Sequence, residues 1–337
     1  MTPLDQRGQP FTGRLRALTF STSNSIALKV AADASSATTI DVQAVSLAAT
    51  PPQLTVSGGG VTSSITLETQ QALWVNFESN VGIEAFQVGN PTPLVHLSGV
   101  TNPSAIAGDA SGNLLVADNP SQTPMTSRFQ VIAPGGQAIA SRTIASLNDF
   151  VADIAVDAYG NCYLAGPFGF FVDTGCSQTA APHTGVAYMG AIEIDAAGQF
   201  WIGDYYTDSY NVYRDGTLSS IAFSVPNAYA GPDSIAFDAQ GHAFLAFSAF
   251  DGINTHGGQV LVTAPNGKGA PVTTTLTSGN GLIAPFGLTV DASQNLWVAN
   301  DKDVLEFSAG SYSAVSGNTI VTPSGASAQQ VVFLPLH

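Results

Sequence analysis

Positive charge is scarce in this chain. Nine Lys and Arg stand against 24 Asp and Glu, a formal net charge of -15 over 337 residues. A polyanion or an anionic membrane surface would be repelled by that balance, and no basic patch interleaved with aromatics offsets it. Nucleic acid is therefore excluded as a partner. Charge of either sign is thin as well: charged residues make up 10%, against roughly 25% in an average soluble protein. Only two cysteines occur, Cys162 and Cys176. With no C-x-x-C and only His183 close by, a zinc site is disfavoured, which leaves a disulfide or two free thiols. No run of eighteen apolar residues exists, which excludes a membrane-spanning helix. The opening "MTPLDQRGQPFTGRL" holds no apolar leader segment, so no signal peptide is visible.

Apolar residues reach 45% and glycines number 34. That mixture of strand formers and turn formers points to an all-β chain with many short turns, a profile common in exported proteins. An extracellular or periplasmic location follows as an expectation, together with a monomeric state.

Repetition is the strongest signal. Five segments align without gaps: "PSAIAGDASGNLLVAD" (103–118), "VADIAVDAYGNCYLAG" (151–166), "MGAIEIDAAGQFWIGD" (189–204), "PDSIAFDAQGHAFLAF" (232–247) and "PFGLTVDASQNLWVAN" (285–300). Each holds an apolar strand, an Asp, a turn with Gly or Asn, and a second apolar strand. The shared aspartates Asp109, Asp157, Asp195, Asp238 and Asp291 are separated by 48, 38, 43 and 53 residues. Weaker copies lie upstream at 63–77, with Glu68 in the Asp position, and at 17–33, where the acid is missing. Further strand-like runs follow each pair, and no 3.6-period stripe appears.

A unit of about 40–50 residues carrying four short strands is the pattern of a β-propeller blade. One blade cannot bury both faces of its sheet, whereas a ring of blades can. The pattern predicts residues 1–12 as an arm and 13–337 as one propeller domain. Seven blades are expected, or six if the copy at 17–33 is not a blade. The segment "QQVVFLPLH" (329–337) is expected to pair beside the N-terminal blade and close the ring.

The recurring I-A-x-D-x-x-G-N-L-x-V-A-D phrase resembles the NHL-repeat propellers, and also the gluconolactonase and senescence-marker-protein superfamily and the streptogramin B lyases. The resemblance runs clearly from about 63 to 300 and specifies architecture far better than function. It implies a divalent cation, Ca²⁺ or another, in the central channel for the lactonase group. The "GPDSIAF" segment supplies Asp233 where that group places an Asp, and Asn102 in "TNPSAI" loosely matches an Asn. The group's G-E-G-P-x-W-like strand is absent. So are a counterpart of the lyase His with its acidic partner and the lyase W-F-T-E strand ending.

Blade geometry sorts the carboxylates. The five repeat aspartates occupy one kind of turn, where an Asp side chain caps backbone N–H groups; repetition in every strong blade marks a fold role. The opposite face, where the first strand starts and the second ends, surrounds the channel mouth. Strand starts there give Asn102, Asp149, Asp153, Met189, Asp233 and Phe286. Strand ends give Glu78, Asp118, Asp204, Tyr205, Asn300 and Asp301, with Tyr206 beside them. Asp204, Tyr205, Tyr206, Asp118, Asn300 and Asp301 form the candidate ligand-binding set, since tyrosines at a mouth can stack on a sugar face or pack a partner. Asn102, Asp153, Glu193 and Asp233 form the candidate metal set, because Ca²⁺ takes several oxygen ligands.

Glu193 departs from its column, which otherwise reads Ala107, Ala155, Ala236 and Thr289. An acid on the crowded inner strand is desolvated, which raises its pKa unless a cation or donors compensate. It is the candidate catalytic acid or base. The two function classes that follow are a binding or scaffold propeller for a small molecule, carbohydrate or protein, and a metal-dependent hydrolase or lyase. Cys162 and Cys176 fall at neighbouring strand ends and are a candidate disulfide.

Overall fold

In the computed structural model, described residues comprise the strands at 19–22, 28–32, 40–44, 53–58 and 61–66 and most of 71–335. Within 71–335 the stretches 79–80, 123–124, 134–137, 145–150, 168, 174–175, 177–180, 184–188, 206, 208, 215–216, 220–229, 250–256, 266–271 and 324–325 fall outside them. Glu68, Asp149, Tyr206 and His256 therefore lie outside the described residues. The chain divides into two compact units, residues 1–71 with 335–337, and residues 72–334.

The smaller unit holds β1 (Thr19–Thr22), β2 (Leu28–Ala32), β3 (Ile40–Ala44), β4 (Gln53–Gly58) and β5 (Val61–Thr66). Here the repeat-based expectation is corrected. The strands of segment 17–33 do not pair with each other: β1 pairs with β4, and β2 with β3. A three-stranded sheet, β1-β4-β5, and a two-stranded sheet result, with no four-stranded blade among the described residues.

The larger unit is a β-propeller with six four-stranded antiparallel sheets. One sheet holds β9 (Pro103–Gly108), β10 (Leu114–Gln122), β11 (Met125–Ile132) and β12 (Ala138–Ile144). The next holds β13 (Asp153–Val156), β14 (Cys162–Gly166), β15 (Gly169–Asp173) and β16 (Ala181–His183). A further sheet comprises β17 (Met189–Ile194), β18 (Phe200–Asp204), β19 (Ser209–Arg214) and β20 (Thr217–Ser219). Then come β21 (Ala230–Phe237), β22 (Ala243–Ala249), β23 (Gln259–Thr263) and β24 (Val272–Leu276), followed by β25 (Pro285–Val290), β26 (Leu296–Asn300), β27 (Asp303–Phe307) and β28 (Ile320–Val321). The sixth sheet joins β6 (Gln71–Phe77), β7 (Gly82–Gln87) and β8 (Pro93–His96) to the C-terminal β29 (Ala328–Pro335), in the order β29-β6-β7-β8. Six four-stranded sheets stand among the described residues, which do not show the expected seventh.

Ring closure differs from the expected pairing in one respect. The inner strand of the sixth blade is not the segment 63–66, which belongs to β5 and pairs with β4. β29 takes that place, beside β6. It lies between β25 and β9: Gly287 of β25 sits against the β29 backbone at Gln329–Val331, and Gly108 of β9 against Leu334. A strand from the far end of the chain thus fills the inner position of the sixth sheet.

Packing follows from alternation. Leu115, Phe129, Ile154 and Leu164 form one cluster between adjacent blades. Trp201, Tyr210, Leu245 and Phe247 form another, and Val75, Phe77, Trp297 and Val331 a third. Trp74, Trp201 and Trp297 are all fully buried. At about 25 cal/mol per Å², an aromatic side chain burying about 200 Å² contributes on the order of 5 kcal/mol before conformational entropy is subtracted.

Candidate functional site

The repeat aspartates act alike. Oδ1 of Asp109, Asp157, Asp195 and Asp238 accepts from backbone N–H groups two and four residues on, at 2.8–3.0 Å. Oδ2 accepts from the side chain four residues on, Asn113, Asn161, Asn295 or His242, or from Trp201 and Trp297 Nε1 at 3.1 Å. His242 is thus a turn residue, bonded to Asp238 at 2.6 Å. The turn needs a left-handed residue three positions after the Asp. Gly112, Gly160, Gly198 and Gly241 supply it, and Gln294 adopts φ 68° in the last copy.

The residues at the second-strand ends have an equally structural geometry. Asp118 is fully buried, and its Oδ1 accepts from Thr101 and Asn102 N–H at 3.1 and 2.8 Å while Oδ2 takes Arg128. Asn300, also fully buried, repeats the device with Ile283 and Ala284 N–H at 2.6 and 3.1 Å, and donates to Gly281 O and to Asp303. Both tie down the loop that leads into the inner strand of their own blade. Asp204 is buried and accepts from Thr207 Oγ1 at 2.9 Å. Asp301 has φ 55°, and its carbonyl accepts from Ala328 N–H at 2.8 Å, holding the start of β29. Of the described members of the predicted ligand set, only Tyr205 lines the mouth cavity.

That cavity measures about 480 Å³. Met189, Phe286, Pro103 and Pro167 give it apolar walls, and Asn102, Ser104, Asp233, Glu78 and Gln329 give it polar ones. The Tyr205 ring lies between the backbones of Gly190 and Gly231, where an added Cβ would meet it at 1.8 and 1.9 Å. Its hydroxyl donates to Asp233 Oδ1 at 2.5 Å, and Asp233 Oδ2 accepts Ser248 N–H at 2.5 Å. Burial pushes Asp233 up to about 7, against the pull of the Ser248 and Tyr205 donors. Burial, then the Asp233 charge, pushes Tyr205 well above the usual phenol range.

Deeper in the channel the inner strands present an unpaired edge, and polar side chains from neighbouring blades satisfy it. Gln330 Oε1 of β29 accepts Ile106 N–H of β9 at 2.6 Å, while its amide donates to Asp153 Oδ1 at 3.0 Å. Asp153 Oδ1 also takes Ile154 N–H, and its Oδ2 takes Ile192 N–H of β17, both at 2.9 Å. Ser234 Oγ of β21 accepts Leu288 N–H of β25 at 3.0 Å. Burial pushes Asp153 up to about 7 even so, because the surrounding donors do not fully replace water.

A second cavity, of about 280 Å³, lies beyond this belt, lined by Asp153 and Glu193 among others. The candidate metal set is therefore divided: Asn102 and Asp233 line the mouth cavity, Asp153 and Glu193 the channel cavity. Among the described residues no three His, Cys, Asp or Glu side chains are grouped to hold a metal ion. The donor set does not fit the channel cation implied by the lactonase resemblance, since each of Asp153 and Asp233 already spends both oxygens on protein donors. Cys162 and Cys176 are joined as a disulfide with Cα atoms 5.0 Å apart.

Gln330, Gln329 and Ser234 were not among the sequence candidates. Gln329 and Gln330 stand outside the five aligned copies, whereas the signal for Ser234 lay in the third repeat column, Ala105, Asp153, Ala191, Ser234 and Gly287. Polar residues stand out there, but their use depends on which strand lies next door.

Fold and cavities together define a six-sheet β-propeller with a lined channel mouth. No family model matches the sequence, and no curated protein does. Solved structures share the fold at low identity. A protein of unknown function from Bacteroides caccae is 12% identical with a TM-score of 0.58, over 79% of this chain and 99% of that one. A protein from Lactobacillus plantarum is 15% identical with a TM-score of 0.54, over 79% and 100%. A putative 6-phosphogluconolactonase from Bacteroides uniformis is 11% identical with a TM-score of 0.53, over 79% and 100%. These likenesses are likenesses of fold.

Proposed function

We propose that this protein is a binding propeller that takes an uncharged polar small molecule, such as a carbohydrate, at the channel mouth. The observation that carries the proposal is the lining of the mouth cavity. It sets the apolar faces of Met189 and Phe286 beside Asn102, Asp233 and Gln329, and no Lys, Arg or His lines it among the described residues. Apolar walls with a few fixed polar groups are the common make-up of a small-molecule pocket. An anionic or phosphorylated ligand would meet Glu78 and Asp233 with no compensating cation. The Tyr205–Asp233 pair is held by Gly190 and Gly231, so the pocket is formed before a ligand arrives. A disulfide suits an oxidising compartment, in line with an exported protein. The metal-dependent hydrolase reading is weaker, because its candidate ligands sit in two cavities.

Thermal shift with neutral mono- and oligosaccharides, phosphorylated sugars, Ca²⁺, Mg²⁺ and EDTA tests this. A neutral sugar should raise Tm by linkage, and Phe286→Ala or Asp233→Ala should abolish the shift. Equal binding of phosphorylated sugars, or a Ca²⁺ shift reversed by EDTA, would overturn it.

A further inference from the structure

The channel cavity beside Glu193 has a chemistry of its own. Small and apolar residues such as Ala107, Ala155, Val156, Leu288, Thr289 and Leu334 line it, but most of the surface it exposes is polar. Three carboxylates line it, and two are spent. Asp153 gives both oxygens to Ile154, Ile192 and Gln330. Asp109 gives both to its own turn, at Ser111 and Asn113. Glu193 differs: Oε1 accepts Ile194 N–H at 2.9 Å, and Oε2 meets no protein donor among the described residues. Among the described residues no Lys, Arg or His of β9, β13, β17, β21, β25 or β29 lines the cavity, and Asp153 and Asp109 are the only other titratable groups facing it.

We infer that this cavity is a binding site for a small organic ammonium ion, with the Glu193 carboxylate meeting its charge and small side chains such as Ala107 and Ala155 leaving room for its alkyl groups. An inorganic divalent ion would need several oxygens within coordination distance, and one free carboxylate oxygen does not supply them. The volume lies just below the range of pockets that take drug-sized ligands, which leaves ample room for a small organic cation. In the empty cavity, burial, with the Asp153 charge adding to it, pushes Glu193 up to about 8, so at neutral pH the carboxyl mostly keeps its proton. Binding of the cation ionises Glu193 and releases that proton to solvent. The inference does not rest on the mouth cavity.

The test uses the full chain and tetramethylammonium, which does not titrate, in calorimetric titrations at pH 6, 7, 8 and 9. Affinity should rise by at least about fifty-fold from pH 6 to 8, as Glu193 and the neighbouring Asp153 ionise, and much less from pH 8 to 9. Buffers of different ionisation enthalpy should report release of nearly one proton per cation at pH 7. Glu193→Gln keeps an acceptor for Ile194 N–H and should lose binding. Thr289→Leu takes up the volume with Glu193 intact and should also lose it, which keeps the test decisive if one variant folds poorly. Affinity independent of pH, binding retained in both variants, or equal binding of tert-butanol or K⁺ would overturn the inference, as would no binding at millimolar tetramethylammonium.

Discussion

Asp153 offers the sharpest test of the belt that spans the channel. Its carboxylate is 9% exposed and accepts from three donors on three strands. In the folded protein its pKa stands at about 7, raised from an ordinary 3.8 by burial. Between those values the folded state binds more protons than the unfolded state, so stability falls as pH rises. The loss begins near pH 4, is complete above about pH 7, and amounts to about 4 kcal/mol at about 1.36 kcal/mol per pH unit. Asp153→Asn imitates the neutral acid, with one oxygen acceptor and one donating side. The variant should therefore match the parent within about 1 kcal/mol at pH 4, the worth of one altered hydrogen bond. It should be the more stable of the two by up to about 4 kcal/mol at pH 8. Urea unfolding followed by fluorescence of the buried tryptophans, at pH 4 to 8, measures both arms. A variant several kcal/mol less stable than the parent at pH 8 would refute the reasoning, because the ionised belt would then be a net stabiliser.

Other consequences are direct. Gly231→Ala or Gly190→Ala drives a methyl group into the Tyr205 ring; each should cost about 1–3 kcal/mol by overpacking, and a melting temperature within 1 °C of the parent would contradict this. Replacing Cys162 and Cys176 together by Ser opens a loop of separation 14, and chemical denaturation should show a loss of about 3 kcal/mol. Asp291→Ala strips acceptors from Asn295 and from the fully buried Trp297 Nε1; it should cost about 2–4 kcal/mol, whereas Asp238→Ala should leave Trp297 fluorescence unmoved.

Local interactions were legible in the residues. The Asp turns involve groups within six positions of one another, so five aligned copies displayed both the strand pairs and the cap. The same locality marks Asp195 as a turn residue, since four other copies carry an Asp at the same place. Asp118 and Asn300 misled for a related reason: they end a strand at the channel mouth, but the backbone they hold is sixteen or seventeen residues earlier, in a loop the repeat does not cover.

What the sequence determined by itself was the all-β propeller, the turn chemistry, the strand that returns from the C-terminus and the oddity of Glu193. Each of these is written in a short window or in its repetition. Only the tertiary structure showed which strands pair at the two ends of the chain, because the pairing of β1 with β4, and of β29 with β6, joins segments that share no local pattern. It also decided that Asp233 faces the mouth while Glu193 faces a separate cavity. Both lie on inner strands, Asp233 on β21 and Glu193 on β17, but their repeat columns differ by three positions, and Gln330 of β29 lines both cavities. A strand's alternation says which face a side chain takes; only the closed ring says what stands opposite.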